Sequence, residues 1–211
     1  MVILSHRGHW QHPSQQNSLI AFHRALEMGF GIETDIRWGV HGLVLSHDPP
    51  VGDVPALNEL LQLHRDIAPE LTLALNIKAD GLAPRLAEQL RQFKVQRYFV
   101  FDMSVPETIR CAATPLVYFT RQSEYEPTPC LYEQAAGVWL DCFLSEWMDD
   151  QVINLHQDRG KQVCIVSPEL HRRDPLPFWN LLRSMKTVDT SSLMLCTDHS
   201  EQAQSFFNES H

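Results

Sequence analysis

The sequence predicts an α/β fold of the parallel-barrel kind, a compact (β/α)8 TIM barrel, and three observations carry that expectation. Short apolar runs rich in β-branched and aromatic residues alternate along the whole chain with helical patterns of period 3.6. Such units come to eight or close to it. No linker, internal repeat or low-complexity tract interrupts them, so the 211 residues are expected to form one domain over 1–211, a stripped version of a barrel that usually takes ~250 residues.

The elements follow in order. Val2 to His6 reads as the first strand, and Asn17 to Met28 as a helix with Leu19, Ile20, Phe22, Ala25 and Leu26 on one face, Asn17 or Ser18 at its cap and Gly29 as its stop. Gly31 to Arg37 is the next strand, with a strand-like return over Leu43 to His47. The helix Leu57 to Asp66, the strand Leu71 to Lys78 and the helix Ala83 to Phe93 come next. The remaining strands are Arg97 to Met103, Leu116 to Thr120, Val138 to Phe143, Gln162 to Val166 and Leu193 to Thr197. Between residues 97 and 190 the barrel periodicity alone is legible. Pro-containing stretches at residues 48–50, 126–129 and 174–177 read as loop punctuation.

Composition narrows the function. Lys and Arg number 17 against 26 Asp and Glu, a net −9, so the field of the whole molecule repels polyanions and excludes nucleic acid as the expected partner. The five cysteines, 111, 130, 142, 164 and 196, form no C-x-x-C pair, which speaks against a disulfide framework or structural zinc and for a reducing compartment. Those at 142, 164 and 196 read as small buried hydrophobes. No segment approaches the ~18 apolar residues of a membrane span, and no amphipathic basic segment is present to hold a membrane. A cytoplasmic protein without stable membrane association is expected.

Polar residues at the C-terminal ends of parallel barrel strands converge on one face, where active sites are built. The first strand ends in Ser5-His6-Arg7-Gly8, the second carries Glu33-Thr34-Asp35, and the return strand ends in Ser46-His47-Asp48. Glu33 and Asp35, spaced i, i+2, leave the same face of a strand, with Ile32, Thr34 and Ile36 on the other. Two carboxylates side by side in an apolar interior repel, and a divalent cation is the simplest way to keep both ionised. His6 and His47 can serve as general acid and base, because an unperturbed pKa of ~6.5 makes either protonation state accessible near neutrality. Arg7 offers a planar fork suited to a pair of phosphate oxygens.

These blocks, His6-Arg7-Gly8, Asn17-Ser18-Leu19-Ile20-Ala21-Phe22 with Ala25 and Gly29, Ile32-Glu33-Thr34-Asp35 and Ser46-His47-Asp48, resemble the opening of the glycerophosphodiester phosphodiesterase family in order and spacing. The likeness is strong over residues 2 to 48; residues 54–61 and Cys196-Thr197-Asp198 are similar to a later helix opening and the last strand. The resemblance implies a (β/α)8 barrel in lipid metabolism, His6 and His47 as acid and base, Glu33 and Asp35 on a divalent cation, Mg²⁺ or Ca²⁺, and Arg7 on the phosphate of a small phosphodiester.

Three departures mark a compact, divergent member. Gln16 stands where the family usually has Glu. The family's E-x-K block, with a third metal-binding carboxylate, is Asn76-Ile77-Lys78 here, so Asn76 is expected as a weaker, neutral ligand and Lys78 as a second phosphate-binding cation. Asp102 and Asp141, each after an apolar strand, are the alternatives for the missing acid. The long insert common after the H-D block is absent, since only residues 49–56 separate Asp48 from Leu57.

Residues 120–126 and 167–173 read as polar loops able to reach over a barrel mouth, with Arg121 for an anionic group and Glu169 or His171 for a hydroxylated one. Trp139 is read as core. The expectation is a metal-dependent phosphodiester hydrolase acting on a glycerophosphodiester or on a sugar or polyol phosphodiester. Its rivals are a lipid-directed phosphodiesterase of the phospholipase D toxin or phosphoinositide phospholipase type, and a silent barrel that binds a phosphorylated ligand.

Overall fold

The computed structural model describes residues 1–208. The chain divides into two compact units, one of residues 5–118 and one of residues 1–4 with the chain from 119 onward. The strand β1 (Val2–His6) is divided between them.

In the first unit, α1 (Leu19–Glu27) follows β1 and buries Ala21, Phe22, Ala25 and Leu26, the stripe expected. Ser18 caps it, its Oγ accepting from Ala21 N–H at 3.4 Å, and Gly29 ends it at φ +80°. The strand β2 (Gly31–Gly39) returns through the antiparallel β3 (Gly42–Leu45). Then come α2 (Leu57–Ile67), β4 (Leu73–Ile77), α3 (Ala83–Phe93), β5 (Tyr98–Phe101) and α4 (Val105–Ala112). β2 pairs in parallel with β4, and β4 with β5. From Gly31 to Ile36 every residue of β2 is buried, as is all of β4, the condition of strands covered on both faces.

The second unit runs β6 (Phe119–Gln122), β7 (Gly137–Leu140), α5 (Asp150–Asp158), β8 (Gln162–Val166), α6 (Leu176–Ser184), β9 (Leu193–Thr197) and α7 (Ser200–Asn208). Its strands pair in parallel in the order β6-β7-β8-β9. Trp139 is buried, as are the cysteines at 111, 142, 164 and 196, and no disulfide joins any of the five cysteines. Burial pushes the Cys111 thiol up to about 12 and the Cys142 thiol up to about 11. Among the described residues, the eight strands other than β3 and the seven α-helices give the compact (β/α)8 class expected, with a 3₁₀ turn at Tyr132–Gln134 in place of a helix between β6 and β7.

Two local expectations are corrected. The strand that the sequence places at residues 116–120 is β6, at Phe119–Gln122. Arg121 and Gln122 therefore belong to the strand and pair with Trp139 and Leu140, so Arg121 does not lie in a loop. Their polarity hides the strand, and Gln122 is accommodated because its amide oxygen bonds His156 Nε2 at 2.7 Å while its amide nitrogen donates to the Pro127 carbonyl at 3.0 Å. The Pro175–Pro177 stretch opens α6, where a missing N–H and a preset φ cost nothing. No helix among the described residues is long and apolar enough to cross a membrane.

Candidate active site

The first unit assembles its site from the ends of β1, β2 and β4. Past His6 the backbone turns sharply, with Arg7 at φ +56° and Gly8 at φ +85°. Arg7 N–H donates to the Glu33 carbonyl at 2.9 Å, and the Arg7 carbonyl accepts from Asn17 N–H at 3.0 Å, so the turn is tied to β2 and to the residue before the α1 cap. Gly8 is required twice. A side chain there would be strained at that φ, and a Cβ would lie 2.9 Å from both Ala21 C and Ala21 Cβ.

Glu33 and Asp35 are 2% and 1% exposed. In register, Asp35 lies beside Asn76 and Glu33 beside Ala74, so the two acids and Asn76 share a face. Asp35 is crowded with positive partners. Its Oδ2 lies 3.0 Å from Arg7 Nε and accepts from Asn17 Nδ2 at 2.9 Å, and its Oδ1 lies 3.5 Å from Lys78 Nζ. The Arg7 contact is an ion pair without hydrogen-bond alignment, since the buried Nε makes no hydrogen bond. Glu33 is held less well, with His6 Nε2 at 3.9 Å and Arg7 N–H at 3.4 Å from Oε2. Burial first, then the charge of Asp35, push the Glu33 carboxyl up to about 7 against the pull of His6, Arg7 and Lys78.

Lys78 Nζ also lies 3.5 Å from Asp102 Oδ2, so of the two alternative acids Asp102 belongs to this group of side chains. His47 follows β3. Ser46 N–H donates to the Asp35 carbonyl at 3.0 Å, and Arg37 Nε donates to the His47 carbonyl at 2.8 Å, which ties this segment to β2. The imidazole itself is 46% exposed, with Nδ1 3.0 Å from Asp48 Oδ1.

The donor set fits a hard divalent cation. Asn76 Oδ1 is buried and accepts no hydrogen bond, an oxygen that a cation would satisfy, and it lies on the face of the two acidic side chains. Glu33, Asp35 and Asn76 are the residues that could hold it. The set is lean, since no group of three or more His, Cys, Asp or Glu able to hold a metal occurs among the described residues.

The other expected residues lie in the second unit and have partners there. Arg121 pairs with Glu126 and lies over the Phe143 ring. Asp141 bonds His171 at 2.6 Å. Glu169 accepts from the Ser167 and Thr197 hydroxyls and from Asp198 N–H at 3.1 Å.

Two residues carry more than their sequence context indicated. Asn17, read as a possible helix cap, is buried at φ +56° and bridges β2, with Thr34 Oγ1 donating to its Oδ1 at 2.7 Å while its Nδ2 holds Asp35. Gln16, a departure from the family's usual Glu, accepts from Arg7 Nη1 at 3.2 Å. The adjacency of Gln16-Asn17 to the family-like block was the available signal.

No protein-family model matches the sequence, and no curated protein matches it. Solved structures do match in fold. A phosphodiesterase from Oleispira antarctica, in complex with the product sn-glycerol-3-phosphate, aligns with a TM-score of 0.73 at 17% identity over 99% of this chain and 97% of its own. A glycerophosphoryl diester phosphodiesterase from Parabacteroides distasonis aligns with a TM-score of 0.71 at 14% identity over 97% of this chain and 85% of its own. A Ca²⁺-dependent phosphatidylinositol-specific phospholipase C from Streptomyces antibioticus aligns with a TM-score of 0.57 at 10% identity, covering 98% and 96%. At these identities the likeness is one of fold, and over nearly its whole length this chain is built on the barrel that glycerophosphodiester phosphodiesterases use.

Proposed function

We propose that the chain is a metal-dependent phosphodiester hydrolase of the glycerophosphodiester phosphodiesterase type. The observation that carries this reading is the set on one strand face: two buried acids, the unpartnered Asn76 oxygen, and the cations Arg7 and Lys78 beside them. A cation held by Glu33, Asp35 and Asn76 would supply charge neutralisation to a phosphate oxygen.

The chain's own groups do the rest. Arg7, oriented by Gln16 and Asp35, has Nη2 without a partner among the described residues and can donate it to a phosphate oxygen. Lys78, spread between two carboxylates, stabilises charge that builds on the same group. Of His6 and His47, one takes the proton of the nucleophile and the other returns one to the leaving alkoxide. With His47 Nδ1–H donating to Asp48, the neutral ring carries its lone pair on Nε2, ready to accept a proton. Asn17 is a positioning residue, since it fixes the Asp35 carboxylate.

The product bound by the Oleispira antarctica protein supports a small-molecule phosphodiester as substrate. The test is hydrolysis of bis(p-nitrophenyl) phosphate and of glycerophosphodiesters with and without EDTA. Turnover abolished by EDTA, restored by Mg²⁺ or Ca²⁺ and lost in Glu33→Gln is expected; absence of turnover with every cation refutes the reading.

A further inference from the structure

The second unit carries a cluster that the phosphodiester reading leaves unused, at the C-terminal ends of the neighbouring strands β6, β7 and β8. Asp141, directly after β7, is 7% exposed, and its backbone is fixed on both sides: its N–H donates to the Gln122 carbonyl at 2.9 Å, and its carbonyl accepts from Trp147 Nε1 at 2.7 Å. Its Oδ1 bonds His171 Nε2 at 2.6 Å, in the 3₁₀ turn Pro168–His171 that follows β8. Oδ2 accepts no hydrogen bond from the described residues, and His171 Nδ1 has no partner among them on a side chain 22% exposed. Beside this pair, the Phe143 ring packs 4.9 Å from His171 and 5.8 Å from Tyr125, centroid to centroid. Glu124 fixes the turn, accepting from the N–H groups of Phe143, Leu144 and Ser145 at 3.0–3.1 Å.

We infer that this cluster binds a small neutral polyhydroxylated ligand, a polyol or monosaccharide, with Asp141 Oδ2 and His171 Nδ1 on its hydroxyl groups and Phe143 against its carbon face. Asp141 Oδ2 reaches solvent, and a carboxylate with about four acceptor sites, of which His171 takes one, keeps acceptor capacity at the surface that the O–H groups of a ligand can fill in place of water. An apolar ring beside a polar pair matches a ligand with a C–H face and a hydroxyl edge. Other ligand classes fit less well. An anion would meet the Asp141 charge. A quaternary ammonium would need an open gap between rings, but these rings touch one another and the Arg121 guanidinium already lies 5.9 Å from the Phe143 centroid.

This inference goes beyond the hydrolase reading and is tested without turnover. Glycerol, myo-inositol and D-glucose are titrated into the full chain, with EDTA present, and binding is read by saturation-transfer NMR of the ligand and by the fluorescence of the tryptophans, Trp147 among them. The same titration is run on Glu33→Gln, so that an inactive enzyme and an empty polyol site are told apart. At least one polyol is expected to saturate, with affinity reduced about tenfold or more by Asp141→Asn, the scale of a lost bond to a charged group. Phe143→Leu, which keeps apolar volume without the ring, is expected to weaken binding as well, and it decides the matter if Asp141→Asn fails to fold. The inference is overturned if none of the three probes saturates, if both folded variants bind as tightly as the parent, or if tetramethylammonium saturates while the polyols do not.

Discussion

Replacing Gly8 by alanine tests the turn that aims Arg7, and the structure sets the size of the effect. At φ +85° an L-residue costs roughly 1–2 kcal/mol relative to its favoured region. The new Cβ would also meet Ala21 C and Cβ at 2.9 Å and Phe22 Cδ1 at 3.0 Å; two of these atoms belong to the helix backbone or its first side-chain carbon, and neither can swing away. Overpacking of this kind adds about 1–3 kcal/mol, for a total of about 2–5 kcal/mol. Gly29 is the control, because it has φ +80° but no atom within 4 Å of the Cβ that alanine would bring. Gly29→Ala should therefore lose only the conformational part, and the difference between the two variants isolates the steric part. Urea unfolding of both, read by tryptophan fluorescence, gives that difference directly, and with about 2–4 °C per kcal/mol for a chain of this size Gly8→Ala should lower Tm by about 4–20 °C. Equal losses in the two variants at unchanged m-value would refute the close approach of Gly8 to α1.

Three further outcomes are expected. Burial, then the nearby Arg159 charge, hold His156 at a pKa of about 4, with Nε2–H donating to Gln122 and Nδ1 accepting from Tyr132; since an unfolded histidine titrates near 6.5, this stability is complete above pH 6.5, is lost as pH falls toward 4, and amounts to about 3 kcal/mol. Urea unfolding at pH 7.5 and pH 5 should show a fall that shrinks in His156→Gln, and an unchanged pH slope there would assign the effect elsewhere. His6→Ala and His47→Ala should each lower kcat by ~10²-fold at unchanged metal content, and the one that spares an activated aryl ester while failing on an alkyl ester identifies the general acid; small, equal losses on both esters would contradict the two roles. Asn76→Glu should tighten metal binding about tenfold or more in calorimetric titration by adding charge to an oxygen donor set, and an unmoved affinity in a folded variant would remove Asn76 from the ligands and bring Asp102 forward.

In the first unit, the strand ends and the shared strand face were legible because local spacing declares them. Glu33 and Asp35 declare a shared face by their i, i+2 separation, and His6 and His47 close apolar runs. Asn17 and Gln16 were not legible, since their partners Asp35, Thr34 and Arg7 are reached only through a turn with positive φ at Arg7 and Asn17. Helices in the later part were hidden by polar residues on their buried faces. α5 buries Ile153 with His156, α4 buries Glu107 and Thr108 with Cys111, and α7 buries Ser200 with Ala203, so none shows an apolar stripe. Glu107 is the clearest case, its carboxylate accepting from Gly81 and Ala83 N–H at the start of α3. The shift of β6 has the same cause, because pairing partners rather than hydrophobicity define a strand that ends in Arg121-Gln122.

The grip of Glu124 on three successive N–H groups separates solvent contact from freedom to exchange. Leu144 is 65% exposed, and an amide in such a turn ordinarily trades its hydrogen with water almost without hindrance. Here the hydrogens of Phe143, Leu144 and Ser145 are all committed to one carboxylate on the preceding loop. Partial desolvation raises the pKa of that carboxyl, but the backbone hydrogen bonds it accepts outweigh this and lower it. Their protection is therefore shared, so that one opening event, the withdrawal or protonation of a single side chain, releases all three amides together. Deuterium uptake at this turn should then follow a common rate, and as acidification neutralises Glu124 that rate should fall less steeply than the base-catalysed intrinsic chemistry of exchange, marking a surface segment whose rigidity depends on one charge.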